Sequence, residues 1–478
     1  MAVLAIDQGT SATKALVVGD GGAVLGLAEV PVAVHATADG AVELDPEALW
    51  ASVVTAGEQA LAAAGRPALE ALGLANQGET ILAWDRATGR PQGPAIVWQD
   101  RRSSIVCDAL APHGPRLAEL TGLELDPYFV APKIAWLRAR VGDGPAITTS
   151  DTWLLHRLCG AYVTDVATAG RSLLLELDTG RWSDEACALF GIDPGGLPQV
   201  VGNATALGEC RTFGAPVPVT GACVDQQAAL FAENCHAAGE AKCTYGTGAF
   251  MLACTGDAPI RSQNGLVGCP AWQLGDRLTW CLDGQVYTVG AAVGWLIEMG
   301  IMREPADLDG LGGAVPDAGG VTFVPALAGL AAPYWRPHAK AAFTGLSLGT
   351  ERGHLVRAAI DGIAAQVALL AAAAGRDLGA PLTRLRVDGG LTRSRTLLQV
   401  QADLLQCPVE VYPSPHATAL GVAAFAAHGA GLPAHGAGSP ARADDWQPSA
   451  IVEPAITADE AANRLAAWQA VADATMDR

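Results

Sequence analysis

The sequence predicts an α/β fold built as two related halves that face one ligand, and three observations carry that prediction. In the first third, apolar runs of strand length alternate with helical stretches, which is the pattern of an α/β sheet. A strand, a Gly-Thr turn with small hydroxyl residues and a second strand occur twice about half a chain apart, as "LAIDQGTSATKALVV" (4–18) and "AKCTYGTGAFMLA" (241–253). The chain has 478 residues, too many for one hydrophobic core and enough for two large domains.

Taken in order, the first strand pair is predicted from Val3 to Ile6 and Ala15 to Val18. Its connection is too long and too polar for a simple hairpin, which needs only about two residues of the Asn-Gly kind. Asp7, Thr10, Ser11 and Lys14 are placed there, and they point to a ligand. A helix is expected over Pro46 to Ala64, with strands at Leu69 to Ala75 and Ala95 to Trp98. A segment punctuated by Gly and Pro around 200–240 leads to the second strand-turn-strand. A third glycine turn ends a short strand at Asp388-Gly389-Gly390, and Leu397, Leu398, Val400, Leu404 and Leu405 then recur at helical spacing. Two glycines at such a junction let backbone approach a ligand with no Cβ between them.

Composition removes several function classes. Half of the residues are apolar (50%) and 17% charged, so a sizeable core is expected and disorder is not. The net charge of -19, with no basic stripe, argues against a nucleic-acid partner. No leader with a charged end, apolar core and cleavage site opens the sequence. The alanine-rich stretch 358–375 is interrupted by Asp361 and Gln366 and reads as a buried helix, not a membrane span. Eleven cysteines are scattered without a Cys-x-x-Cys pair, as expected of reduced thiols in a cytoplasmic protein. The histidines, His435 among them, show no ligand spacing.

The three glycine turns, taken with "LANQGETILAWDRATGRPQGPAIVWQDRR", "GLELDPYFVAPKIAWL", "GACVDQQAAL" and "ATALGVAAFAA", resemble the FGGY carbohydrate kinases over nearly the whole chain. Within that family the glycerol kinases are most similar. The resemblance implies two actin-like (ribonuclease H-like) ATPase domains around a central cleft, residues 1–240 and 241–478. It implies ATP-dependent phosphorylation of a terminal hydroxyl of a small polyol or sugar, with Asp225 as general base. ATP and Mg²⁺ are the implied cofactors, Asp7 holding the metal through water together with Asp225. Phosphoryl transfer is mainly positioning and charge neutralisation. The resemblance supplies the parts: Thr10, Ser11 and Lys14 in the first phosphate turn, Gly246, Thr247 and Gly248 in the second, Gly290, and Gly389, Gly390 and Ser394 around the adenosine. A homo-oligomer, dimer or tetramer, with no membrane partner is implied as well.

For the acceptor, the resemblance implies a pocket of Gln77, Gly78, Glu79, Trp98, Tyr128, Asp225, Gln226 and Phe250. Trp98 and Phe250 form the apolar wall. Gly78 stands where glycerol kinases carry an Arg in "NQRET". Either a neighbouring group refills that space and glycerol remains the acceptor, or the pocket admits a longer polyol or ketose of tetritol, pentitol, xylulose or ribulose type. Ser394 and Gly294 replace the usual Asn and Gln near the nucleotide. No Gly-Gly-Lys-Gly-Gly-Thr-Arg loop precedes the Asp225 segment, so fructose 1,6-bisphosphate inhibition is not expected. Asp225 also suits a helix cap beginning at Gln226. Non-kinase readings are a chaperone-like or filament-forming ATPase and a degenerate sugar sensor. The Asn76–Arg102 segment with Tyr128 argues against the first, and the intact Asp7, Asp225 and glycine turns against the second.

Overall fold

A computed structural model describes residues 2–37, 40–432 and 447–476; His435 lies outside the described residues. The first main sheet is formed by β1 (Val3–Gln8), β2 (Ala12–Val18), β3 (Val24–Pro31), β4 (Ala71–Asn76), β5 (Gly208–Cys210) and β6 (Val217–Val224). Their spatial order is β5-β6-β4-β1-β2-β3, with β1 to β3 antiparallel and β1, β4 and β6 parallel. The second sheet contains β7 (Ala241–Tyr245), β8 (Ala249–Gly256), β9 (Val267–Leu274), β10 (Arg277–Val286), β11 (Leu385–Asp388), β12 (Val409–Val411) and β13 (Ala450–Val452), ordered β9-β10-β8-β7-β11-β12-β13. From β10 to β12 it repeats the first sheet's scheme, since β7, β8 and β10 are antiparallel while β7, β11 and β12 are parallel. The repeated strand-turn-strand is thus the entry to two equivalent sheets.

Burial explains why β1 reads as a continuous apolar run. Leu4 and Ile6 face α1 (Pro46–Ala63), beside Leu49 and Val53. Val3 and Ala5 face the opposite core, with Val422 and Phe425. A strand covered on both faces has no polar side. Asp45 starts α1 by accepting from the Glu47 amide at 2.9 Å, and Pro46 occupies the first helical position. The alanine-rich stretch lies within a long helix, α4 in chain order after α2 (Val130–Val141) and α3 (Asp225–Ala232), spanning Arg352–Leu378. It packs into the core of the second sheet through Val356, Ile360, Ile363, Val367 and Leu370. The expected strand at 95–98 is only Ala95–Ile96, because the chain turns so that the Trp98 indole N–H donates to the Thr10 hydroxyl at 2.9 Å. After α5 (Arg395–Leu405) comes α6 (Ala417–Gly429).

Although α6 follows the second sheet in sequence, it packs on the first. Its backbone meets three glycines or helix turns closely: a Cβ on Gly73 would lie 2.6 Å from the Val422 carbonyl oxygen and one on Gly221 2.5 Å from the Ala426 nitrogen. One on Gly421 would lie 1.9 Å from the Ala228 carbonyl oxygen of α3. The Thr220 hydroxyl adds a 2.7 Å bond to the Ala426 carbonyl. Helix α3, which begins at Asp225, is therefore set by contact with α6.

Gly421→Ala is expected to lower stability by about 3 kcal/mol, at the upper end for overpacking, because the obstacle is backbone. Gly294→Ala, in the helix Gly290–Glu298, meets nothing within 4 Å of its new Cβ and should raise stability by up to about 1 kcal/mol. Thermal and urea unfolding midpoints of the two variants check the opposite signs.

Candidate active site

Between the two sheets lies a cavity of about 300 Å³. All eight residues expected to hold the acceptor line it: Gln77, Gly78, Glu79, Trp98, Tyr128, Asp225, Gln226 and Phe250. Both phosphate turns also reach it, Thr10 and Ser11 from the β1–β2 connection and Gly246 and Thr247 from the β7–β8 connection. The β7–β8 turn is closed by the Gly246 amide donating to the Gly248 carbonyl at 2.9 Å. Gly290 backs it, its amide donating to the Gly246 carbonyl at 3.1 Å, with no room for a Cβ between them. Gly389 has φ +95° and a Cβ there would stand 2.3 Å from the Tyr245 carbonyl oxygen, so only glycine fits the end of β11. Gly390 faces open space. The Ser394 hydroxyl caps α5 at the Leu397 amide, 3.2 Å away, and donates to Asp309 at 3.0 Å.

Acidic groups crowd the phosphate end. Asp7 leaves β1 opposite Lys14 of β2. Burial pushes its carboxyl up to about 6, with the Lys14 cation opposing and Asp388 adding to the rise. Asp225 is pushed up to about 6 by burial and by Asp7, and Lys242 opposes the shift. The helix starts at Asp225 itself, whose Oδ1 accepts from the Gln226 amide at 2.7 Å. Lys242 is fully buried, and its ammonium donates to Gln226 Oε1 at 2.6 Å and to the Thr244 hydroxyl at 2.8 Å. Among the described residues no group of three or more His, Cys, Asp or Glu side chains is arranged to hold a metal ion alone.

At the other end, Trp98 stands edge-on to Tyr128 and Phe250, with centroids 5.8 and 6.0 Å away. Glu79 has φ +55°, a strained conformation for a side chain of its size, and its Oε1 accepts from Arg171 Nε at 2.7 Å. Arg171 also pairs with Asp283 Oδ2 at 2.7 Å, and the guanidinium is 2% exposed. Burial raises the Glu79 carboxyl pKa and Arg171 opposes it. A Cβ on Gly78 would meet one atom within 4 Å, Val224 Cγ2 at 3.1 Å, and otherwise faces open space at the cavity.

Sequence reasoning missed Arg171, Val224, Gln227, Thr244 and Asp283, all of which line the cavity, and Lys242 behind it. A signal for Arg171 was present, since it is the lone charge between Asp165 and Glu176 in "VATAGRSLLL". Asp283 and Lys242 sit in strands that pair only in three dimensions and gave none.

The N-terminal domain of the FGGY family of carbohydrate kinases matches residues 2–232, and its C-terminal domain matches 241–430. A glycerol kinase of Alkalilimnicola ehrlichii is 42% identical over 98% of this chain and 97% of its own. One from Thermus brockianus is 44% identical over 90% of each. Among solved structures, the glycerol kinase of Plasmodium falciparum with ADP superposes with a TM-score of 0.89 at 28% identity, covering 99% of this chain and 98% of that one. A xylulose kinase from Rhodospirillum rubrum shares the fold, with a TM-score of 0.87 at 23% identity over the whole of both chains. With both family domains matched over most of its length, this chain belongs to the FGGY family of carbohydrate kinases.

Proposed function

We propose that this ATP-dependent phosphotransferase moves the γ-phosphoryl group of ATP to a terminal hydroxyl of a small polyol of the glycerol class, with Asp225 as general base. The observation that carries the reading is that both phosphate turns, Asp225 and the hydroxyl-binding side chains line one cavity. The full-length similarity to glycerol kinases supports an acceptor of that class.

In this reading Asp225 takes the proton of the attacking hydroxyl, and its raised pKa of about 6 suits a base that must be ionised near neutrality yet still accept a proton. Lys242 favours the ionised form and fixes Gln226 beside it. Thr10, Ser11 and Thr247 offer hydroxyls and turn amides to phosphate oxygens from both sides. Mg²⁺ fits the paired carboxylates, since it takes one or two of them and keeps water and phosphate for the rest. Asp7 and Asp225, each raised by burial and with Asp7 adding to the rise at Asp225, would hold it, and it would neutralise charge on the transferring phosphoryl group. We take residues 1–240 and 241–478 as the two units, α6 of the second staying packed on the first sheet, and the two sheets close on the ligands and exclude water.

Asp225→Asn is expected to lower kcat by about a hundredfold or more while ATP binding, read by calorimetry, stays within a few-fold. The acid limb of kcat/KM should rise through pH about 6 as Asp225 deprotonates. Lys242→Met removes a cation that favours the carboxylate, so that limb should move to higher pH. A limb that stays in place would assign it to another group. Closure predicts a smaller radius of gyration in X-ray scattering when polyol and a non-hydrolysable ATP analogue are both present.

A further inference from the structure

Strands β9 and β10 pair antiparallel, and their register sets Cys269 directly across from Cys281. Residues facing each other across such a pair point to one side of the sheet with Cα atoms about 4.5–5.5 Å apart, inside the range of about 4.4–6.8 Å that a disulfide spans. Here both thiols are free and buried, and the two sulfurs lie 3.6 Å apart. Their surroundings differ. Arg171 Nη1 donates to Cys269 Sγ at 3.5 Å, and Gln227 Nε2 donates to it at 3.6 Å. A sulfur that receives two N–H groups, one of them cationic, is the acceptor of the pair, which makes Cys281 the S–H donor.

That hydrogen bond holds the Cys269 thiol below its usual range, with burial opposing and the Arg171 charge helping. Cys281, whose proton is held by Cys269 and whose site is buried, is pushed well above it. Burial also pushes the Cys187 and Cys254 thiols up to about 11, where thiolate is scarce at neutral pH. Cys269 is therefore the nucleophile, with a thiol beside it to resolve what it forms. Access comes from the cavity between the sheets. Arg171 and Gln227 both line it, so the sulfur they touch stands directly behind its wall.

We propose that Cys269 is a site of oxidation by hydrogen peroxide, and that Cys281 resolves it to a disulfide that slows phosphoryl transfer until a thiol reductant reopens it. The Cys269 sulfur attacks one peroxide oxygen, the O–O bond breaks, and the second oxygen leaves as hydroxide and takes up a proton. The Cys281 sulfur then displaces the hydroxyl of the Cys269 sulfenic acid and loses its own proton, so two thiols and one peroxide give one disulfide and two waters. Closing the S–S bond to about 2.05 Å draws Cys269 Sγ off Arg171 and Gln227 and removes its negative charge. Arg171 is the guanidinium that Glu79 and Asp283 share, and Gln227 lies on the helix that begins at Asp225, so the change reaches both ends of the cavity. The effect on rate rests on the kinase reading above; the bond itself does not.

The test treats the purified full chain, freed of reductant, with hydrogen peroxide, alkylates the remaining thiols in denaturant and digests it with trypsin, which cuts between the two cysteines at Arg277. Mass spectrometry without reduction should find the peptides of Cys269 and Cys281 joined. ADP release with glycerol should fall by about tenfold, the size of one lost charge-assisted hydrogen bond, and return on adding dithiothreitol. Cys281→Ala should keep its untreated activity, and after peroxide its Cys269 should be labelled by dimedone, a sulfenic acid reagent. If both cysteines are recovered alkylated, if Cys281 is joined instead to Cys254, which faces it from β8, or if the disulfide leaves ADP release unchanged, the proposal is overturned. If glycerol gives no ADP release before peroxide, that failure belongs to the kinase reading, and the mapped bond still decides the oxidation site. Should Cys281→Ala not fold, the wild-type map decides.

Discussion

A guanidinium sealed from water must have carboxylates beside it, and the acceptor end of this protein is arranged around that requirement at Arg171. Glu79 takes its Nε–H and Asp283 pairs with Nη1, both at 2.7 Å. Glu79 follows β4 of the first sheet, whereas Asp283 belongs to β10 of the second, so the ion triad joins the two halves at the floor of the cavity. Removing one member would strand a buried charge, at a cost of about 3–5 kcal/mol. The same guanidinium lies 5.8 Å from the Tyr128 ring centroid and 5.3 Å from that of Phe129. Behind Tyr128, the buried Lys133 ammonium donates to the carbonyls of Pro127, Tyr128 and Phe129 and holds the aromatic segment against it. Burial pulls the Lys133 pKa down to about 7, so this brace is at full charge only below neutrality.

The cavity is polarised along its length. At one end burial raises the pKa of Asp7, Asp225 and Asp388, with Asp388 adding to the rise at Asp7 and Asp7 to that at Asp225, and Lys14 and Lys242 only partly offset it. Such crowding is unfavourable until a cation enters. At the other end the charges are closed on one another, and what remains is acceptor oxygens and aromatic faces, a surface for hydroxyl and C–H groups. The two ends of the cavity therefore differ in chemistry, carboxylates and lysines around Asp225 at one and aromatic faces of Trp98 and Phe250 at the other.

Legibility in the sequence followed the range of the cause. Turns whose chemistry is local were readable: Gly389 needs φ +95° and a clear approach to the Tyr245 carbonyl, and the double glycine said so. Strands buried on both faces were readable as continuous apolar runs. Residues brought in by pairing were not. Asp283 is one carboxylate in an ordinary strand until β10 is laid beside β8, and Lys242 is a strand lysine until its ammonium meets Gln226. Ser394 shows a role that helix capping alone makes readable, since its hydroxyl accepts from the Leu397 amide at the start of α5. The packing of α6 on the first sheet was equally out of reach, because it depends on Gly73, Gly221 and Gly421 admitting backbone from a segment some two hundred residues or more away from the sheet glycines.

Gly78 brings these threads together. Its φ lies outside the left-handed region, so no backbone constraint calls for glycine there, and the one atom near a Cβ would be Val224 Cγ2 at 3.1 Å. Val224 in turn is the last residue of β6, immediately before Asp225, and is fixed by the contact of α3 with α6. The apolar surface beside Gly78 is thus a consequence of how α3 is seated. Across the cavity the charged groups are Arg171 and its partners Glu79 and Asp283, which come from both sheets, so the acceptor end is apolar where one helix seats a strand end and charged where the two halves meet.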